Sequence, residues 1–270
     1  MSALVDSLHS PLFRRALAEA LLVGVIAGVV GVHVALRRMS FFVVALSHGT
    51  FPGVVAASLI GVSLFLGGLT AAALMILAVV VVSRTRAVDD SSAIGVVLAG
   101  AFAVGVLMLS AQPGQSRDLT AFLVGEVLGV TTADVVRTAI VGVVLLTTLA
   151  LLRKELIGSA FDRAGFGALG YSTAMLDVVA MAAVAVALVT AIPAVGTILA
   201  VALLTVPALA ARQCTDRLAV LGPLAGAIGG GSAIAGLAAS SVFGIAAGAA
   251  IALAAVAAFG VCFVARRVVA

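Results

Sequence analysis

The sequence predicts an all-α, polytopic transmembrane helical bundle, and three observations support this fold class. Of the 270 residues, 64% are hydrophobic and only 10% are charged, against about 25% charged in an ordinary soluble domain. Apolar runs that approach the roughly 20 residues needed to cross a bilayer follow one another along the chain. The 29 glycines, with one tyrosine and no tryptophan, favour helices packed through small residues over an aromatic-belted β-barrel.

The apolar runs predict eight or nine membrane crossings. The run at 194–211 is short and contains Pro207, and a less apolar piece at 119–130 is interrupted by a glutamate, so either is a candidate half-helix. Residues 16–267 then form one transmembrane domain, with no room for a soluble domain. The segment 1–15 is either a short amphipathic piece on the membrane surface or a frayed terminus. The runs cover residues 16–36, 41–61, 63–83, 93–111, 134–152, 174–192, 194–211, 218–239 and 243–265.

The basic residues predict the orientation of the chain. If all nine runs cross, the basic clusters fall in alternate loops, and the positive-inside rule places those loops in the cytoplasm of a cell-membrane protein. The N-terminal stretch and the segment 111–134 then lie outside, and Arg14 and Arg15 are a small violation of this arrangement. The net charge of +4 therefore comes from basic residues that mark cytoplasmic loops, and we expect no nucleic-acid partner. The clusters are Arg37-Arg38, Arg84 and Arg86, Arg153-Lys154 with Arg163, Arg212 with Arg217, and Arg266-Arg267.

Missing motifs exclude several functions. Cys214 and Cys262 stand alone without CxxC spacing, so we expect them to stay apart and to form neither a disulfide nor a thiolate metal site. The chain has no Walker-type Gly-x4-Gly-Lys-Ser/Thr motif, so it is not expected to hydrolyse ATP or to hold a tightly bound cofactor. Its start lacks the pattern of a cleavable signal peptide, and the first helix is expected to direct insertion.

The stretch 39–53, MSFFVVALSHGTFPG, combines polarity and helix breaking inside an apolar span. It contains the imidazole of His48 and the helix-breaking pair Pro52 and Gly53. An ionisable residue at membrane depth is costly and marks a candidate functional site, while Gly and Pro free backbone carbonyls that can face a cavity. The structural alternative is that a single histidine hydrogen-bonds a neighbouring helix. The residues alone leave both interpretations open.

Three stretches carry further motifs. The first is LRRMSFFVVALSHGTFPGVVAA at 36–57, the second is VDDSSAIGV at 88–96, and the third, at 161–212, contains FDRAGFGALG and PAVGTILAVALLTVPALAAR. In order and spacing they resemble the permease subunits of ATP-binding-cassette importers for manganese, zinc and iron. In that family, the first motif is a basic pair, then Met-Ser, then Asp-Ala-x-Ser-His, followed by Pro-Gly. The second motif is an acidic loop and Ile-Gly, which open a later helix. The third is a cytoplasmic coupling segment followed by a helix that contains Val-Gly and Val-Pro-Ala.

The resemblance implies a transport function. It implies a homodimer in the lipid bilayer whose facing helices form the translocation path for zinc or manganese. Its partners would be a cytoplasmic ATP-binding subunit and an extracytoplasmic metal-binding protein, and ATP binding would drive alternating access. The implied path residues are His48 as the metal contact, with Ser47, Thr50 and Pro52. The implied ATPase-coupling segment is 162–170, with Asp162, Arg163, Gly167 and Gly170.

The chain departs from the family pattern at one position of chemical importance. The family's Asp, four residues before the His, is Val44 here, so the carboxylate that i, i+4 spacing would place beside His48 is missing. One neutral imidazole per subunit is a poor site for a divalent cation, although two copies of His48 could meet in a homodimer. The alternatives are a permease for a metal chelate or cobalamin-like ligand and a structural membrane subunit without transport. FGIAAGAA at 243–250 also replaces a more polar family turn.

The remaining polar residues each have a structural and a functional interpretation. Ser47 and Thr50 either hydrogen-bond within the helical bundle or line the path. His33 either packs or hydrogen-bonds between helices, or it lines the path. Glu126 and Asp134 are either loop charges or groups at the external entrance, where a partner would dock.

Overall fold

The computed structural model describes residues 10–83, 89–111 and 129–269. We number the helices of these residues in chain order. Outside the described residues lie Arg84, Arg86 and most of 119–130, including Glu126, so the interpretations of Glu126 remain predictions. The helices are α1 Pro11–Leu36, α2 Ser40–Gly49, α3 Phe51–Ile60, α4 Leu64–Ser83, α5 Asp90–Ser110, α6 Thr132–Leu151, α7 Arg153–Phe161, α8 Arg163–Ala168, α9 Thr173–Cys214, α10 Leu218–Phe243 and α11 Ala247–Val269.

Eight segments of the described residues are long and apolar enough to cross a membrane. Helices α2 and α3 together make one of them, and the short α7 and α8 make none. This confirms the predicted all-α transmembrane bundle. The described residues therefore form a bundle of long apolar helices, with two short helices between α6 and α9.

Helix α9 is two passes joined without a loop. Its 42 residues would extend about 63 Å if straight, roughly twice the 30 Å hydrocarbon core. The backbone instead breaks at Gly196, where φ is 77° and ψ is 168°, a conformation that only glycine adopts without strain. Asp177 near the start of α9 pairs with Arg37, and Leu204 in the second half packs against Gly31. Both arms of α9 therefore run along α1 in opposite directions.

The described residues contain eight membrane-spanning segments, and α9 is one of them. If its two arms are counted separately, the number of passes among these residues is nine. The second arm, residues 197–214, is about 27 Å long at 1.5 Å per residue. It returns to the end of the bundle from which the first arm started. The apolar run at 194–211 lies mostly in this second arm, which extends nearly the thickness of the hydrocarbon core.

The described basic clusters lie at one end of the bundle. Arg37 and Arg163 both pair with Asp177. Arg153 donates to the carbonyl of Leu218 at 2.9 Å, and Arg266 donates to the carbonyl of Arg212 at 3.0 Å. This arrangement agrees with nine passes and the positive-inside rule. We call this end the cytoplasmic end.

The contact between Cys214 and Cys262 corrects one expectation. Both cysteines are free, but the end of α9 and the end of α11 bring their side chains near enough to interact electrostatically. The sequence separation concealed this proximity because it depends on how the two helices pack.

Small residues set the contact between α1 and α10. A Cβ added at Gly24 would lie 2.6 Å from the carbonyl oxygen of Gly229, and one added at Gly28 would lie 2.3 Å from that of Ala225. Contacts this short leave no space for any side chain, so the two backbones touch directly. The predicted packing through glycine is confirmed at this interface.

The second motif opens α5. The Asp89 carboxylate accepts hydrogen bonds from the backbone N–H groups of Ser91 and Ser92, at 3.1 and 3.2 Å, and so caps the helix. A further hydrogen bond from the Ser92 hydroxyl holds the pKa of Asp89 below its ordinary value. The acidic loop thus begins a helix, as the resemblance implied.

Candidate functional site

His48 lies in the last turn of α2 at an open edge of the bundle. Its ring meets the ring of Phe102 on α5 edge-on, with centroids 6.4 Å apart. Val44, one turn earlier, is 39% exposed, and Phe41 is 46% exposed. His48 itself is half-buried. We define the open face as Phe41, Val44 and His48; within the single chain it is only partly covered.

Ser47 and Thr50 lie on the buried side of the same segment. Each is only 1% exposed. The Ser47 hydroxyl donates to the carbonyl of Val44 at 2.8 Å, and the Thr50 hydroxyl donates to the carbonyl of Ser47 at 3.3 Å. Their hydroxyl protons are therefore donated to the segment's own backbone, and both side chains lie away from the open face. We accordingly leave both out of the function proposed below.

Pro52 lines an apolar groove. The groove lies between α3, α4 and α5 and has a volume of about 690 Å³. Beside it, α3 and α4 approach so closely that a Cβ on Gly53 would lie 2.2 Å from the carbonyl oxygen of Gly67. The one hydroxyl in the groove, that of Thr70, donates to the same carbonyl at 2.9 Å. The groove thus offers no side-chain ligand suited to a hard cation.

The other candidate residues have structural surroundings. His33 is 7% exposed within α1, which fits a packing role. Asp134 shares a capping box with Thr131 at the start of α6 and pairs with Arg137 at 2.7 Å. In the part of the chain that the structure describes, no three His, Cys, Asp or Glu residues are placed to hold a metal ion together. The described residues of a single chain therefore build no metal site from these four residue types alone.

The predicted coupling segment, 162–170, contains the short helix α8 and directly follows α7 at the cytoplasmic end. Asp162 separates α7 from α8, and its carboxylate accepts a hydrogen bond from the N–H of Gly165 at 2.8 Å. Asp162 thus caps α8. Gly167 is exposed, and Gly170 ends the segment with φ of 87°. Arg163 is 66% exposed and pairs with Asp177 at 2.7 Å.

Three apolar side chains around these helices are exposed at the cytoplasmic end. We define the cytoplasmic patch as Phe161, Leu169 and Tyr171, which are 64%, 73% and 46% exposed. Because they lie beside charged residues and beyond the membrane-spanning helices, lipid tails do not explain their exposure. Such surfaces often bind another protein.

Arg37 ties the coupling segment to the bundle. Its side chain is 7% exposed and pairs with Asp177. It also donates to the carbonyl of Leu156 at 3.0 Å and to the hydroxyl of Ser159 at 2.8 Å. One guanidinium thus joins the end of α1, helix α7 and the start of α9. The sequence identified Arg37 as a topology signal and as part of the first motif, and it missed this role.

Glu19 is the second residue that the sequence interpretation missed. It is 1% exposed in α1, and its Oε1 accepts a hydrogen bond from the Thr138 hydroxyl of α6 at 2.7 Å. An acidic residue inside the first apolar run was the available signal, because a charge at membrane depth marks a functional candidate.

This geometry is that of a polytopic membrane permease with an exposed cytoplasmic segment. A comparison with family models identifies the family: residues 9–266 match the ABC 3 transport family. The chain therefore belongs to that family and is a multi-pass protein of the cell membrane. The resemblance drawn from the three motifs is confirmed.

Similar proteins support the assignment. The chain is 37% identical over 224 residues to the manganese transport system membrane protein of Halalkalibacterium halodurans, covering 83% of this chain and 77% of that protein. It is 34% identical over 245 residues to the zinc transport system membrane protein of Treponema pallidum, covering 87% and 82%.

Two solved structures share the fold. One is PsaBC from Streptococcus pneumoniae in complex with Fab, with a TM-score of 0.87 and 29% identity over 97% of this chain and 95% of that chain. A putative metal-chelate type ABC transporter in an inward-facing conformation has a TM-score of 0.70 at 19% identity, covering 93% and 85%. This second similarity concerns the fold alone.

Proposed function

We propose that this chain is the membrane-spanning permease subunit of an ATP-binding-cassette importer for Mn²⁺ or Zn²⁺. The names of its relatives support the substrate class. The observation that carries the proposal is the open face. It places the half-buried His48 at the edge of the bundle, where the rest of the same chain covers it only in part. Two chains facing each other would bring two imidazoles to one path.

Two imidazoles can bind a transition metal, but they do not supply all of its ligands. Neutral imidazole binds transition metals, and Zn²⁺ more tightly than Mn²⁺. Two imidazoles with water ligands would hold the ion weakly, and weak binding suits an ion that must leave again. The metal is therefore transported cargo and is held only transiently.

The cytoplasmic patch is proposed to dock a separate ATPase. ATP binding by that partner would move α7 and α8, and the Arg37 network would carry the motion into α1 and α9 as the path alternates between its two sides. On the opposite side, an extracytoplasmic metal-binding protein would deliver the ion.

Changing both Leu169 and Tyr171 to serine should abolish co-purification of the ATPase while leaving the membrane level of the chain unchanged. The two side chains are exposed, so their loss removes docking surface and little core packing. Val268→Ser is the control, because Val268 is 80% exposed at the cytoplasmic end of α11. Full ATPase recovery with the double variant would contradict docking at this patch.

Val44→Asp should create a stronger metal site. The new carboxylate would lie one helical turn before His48 and add a hard oxygen ligand, so Mn²⁺ binding should rise relative to Zn²⁺. A carboxylate at membrane depth costs about 3 kcal/mol, so without metal the variant should melt at a lower temperature. Added metal should recover that stability.

The measurement is thermal melting of the purified protein with chelator, Mn²⁺ or Zn²⁺. Val44→Asn is the control because it adds polarity without charge. If Val44→Asp shows no metal-dependent gain over the wild type, Val44 does not face the path with His48. The chelate or cobalamin-like alternative, which needs no cation ligand, then becomes the better proposal.

A further inference from the structure

A second polar region lies at the end of the bundle opposite the coupling segment. A cavity of about 120 Å³ lies between α1, α6 and the last turn of the first arm of α9. It is lined by Glu19, Asp134, Arg137, Thr190 and Pro193, together with small residues. The volume is large enough for an ion with several waters. It is separate from the open face, which lies on α2.

Glu19 places an unpaired oxygen at this cavity. Its Oε1 accepts the hydrogen bond from Thr138, whereas Oε2 is buried and has no hydrogen-bond partner among the described residues. A buried carboxylate oxygen without a partner is rare in folded proteins and indicates a bound water, proton or ion. The position of Glu19 on the cavity wall makes the cavity the place for that partner.

The wall also includes residues of α9 that lie shortly before the chain reversal. Thr190 and Pro193 belong to the last turn before the break at Gly196. Pro193 has no N–H, so the carbonyl of Val189 loses its usual donor within the helix. The end of this arm also carries the negative end of the helix dipole. Interrupted membrane helices commonly bind cations at such ends.

The cavity wall carries two carboxyl groups, those of Glu19 and Asp134, and one guanidinium, that of Arg137. Asp134 pairs with Arg137 at 2.7 Å, whereas no basic side chain forms an ion pair with Glu19 in the described part of the chain. The side-chain and carbonyl acceptors on the wall are all oxygen atoms. Oxygen donors favour hard cations such as Na⁺, Mg²⁺, Ca²⁺ and Mn²⁺ over cations that prefer sulfur or nitrogen.

We propose that this cavity binds a hard cation through Glu19 Oε2, the Thr190 hydroxyl oxygen and carbonyl oxygens near the break in α9. The bound cation holds the chain reversal of α9 against α1 and α6. The site lies outside the path formed by His48 and is occupied independently of transport.

The test is thermal melting of the full chain in lipid nanodiscs, with NaCl, MgCl₂ or MnCl₂ compared with choline chloride at equal ionic strength. At least one cation should raise the melting temperature of the wild type. Glu19→Gln keeps the shape of the side chain and should abolish the rise. Thr190→Val should weaken the apparent affinity about tenfold, the effect of losing one good ligand.

Two controls distinguish this site from other cation effects. His48→Ala removes the imidazole of the path and should keep the rise with NaCl or MgCl₂. Asp216→Asn removes an acid that is 86% exposed at the cytoplasmic end and should keep it too. No rise in the wild type with any cation, or an equal rise in Glu19→Gln, overturns the proposal. If Glu19→Gln does not fold, unchanged cation affinity in Thr190→Val overturns it alone.

Discussion

Gly28→Ala should destabilise the bundle by about 2 kcal/mol, within the range for forcing extra atoms into a packed interior. The added Cβ would lie 2.3 Å from the carbonyl oxygen of Ala225, so α1 and α10 must move apart. Helix α1 also touches α9 at Gly31 and cannot shift away from one neighbour without disturbing the other. A lower melting temperature of the detergent-purified chain is the expected result.

A matched alanine substitution on α10 serves as the control. A Cβ at Gly231 meets nothing within 4 Å, so Gly231→Ala should be neutral or should stabilise by up to about 1 kcal/mol through helix propensity. Equal melting temperatures for Gly28→Ala and Gly231→Ala would show that α1 and α10 are not in backbone contact.

Asp177→Asn should cost about 3 kcal/mol of stability. The substitution removes the counter-charge of Arg37, whose side chain is 7% exposed, and leaves a buried cation with only neutral hydrogen-bond acceptors. The remaining partners, the Leu156 carbonyl and the Ser159 hydroxyl, do not carry a negative charge. The measurement is the midpoint of thermal unfolding.

Arg163→Gln tests the second ion pair of Asp177, which is the pair with Arg163. Arg163 is 66% exposed, and ion pairs with exposed partners contribute about 0–1 kcal/mol. We expect a change of at most about 1 kcal/mol in this variant. An effect as large as that of Asp177→Asn would mean that the exposed pair, and not the buried Arg37, anchors the coupling segment.

Hydrophobic patterning predicted most of the fold. Each crossing needs a long apolar run, so composition and run length were enough to identify the bundle and its basic end. The runs at 174–192 and 194–211 also predicted the two arms of α9. Their connection was harder to predict, because no polar loop separates them and the chain reverses at Gly196 alone.

The candidate site was less predictable because it depends on which neighbours cover each helix face. His48 stood out as a membrane-depth imidazole beside a helix break. The sequence could not show that Ser47 and Thr50 face inward. Glu19 was missed for a related reason, because its partner Thr138 lies 119 residues away.

The most direct test of the proposed function is metal uptake by proteoliposomes that contain the chain with its ATPase and the metal-binding protein. We predict accumulation of Mn²⁺ or Zn²⁺ only when ATP is present. His48→Ala should lower the initial rate about tenfold, corresponding to roughly 1.4 kcal/mol, and Asp216→Asn should leave it unchanged. Absence of ATP-dependent metal accumulation in the wild type, or an unchanged rate in His48→Ala, would contradict a metal path through the open face.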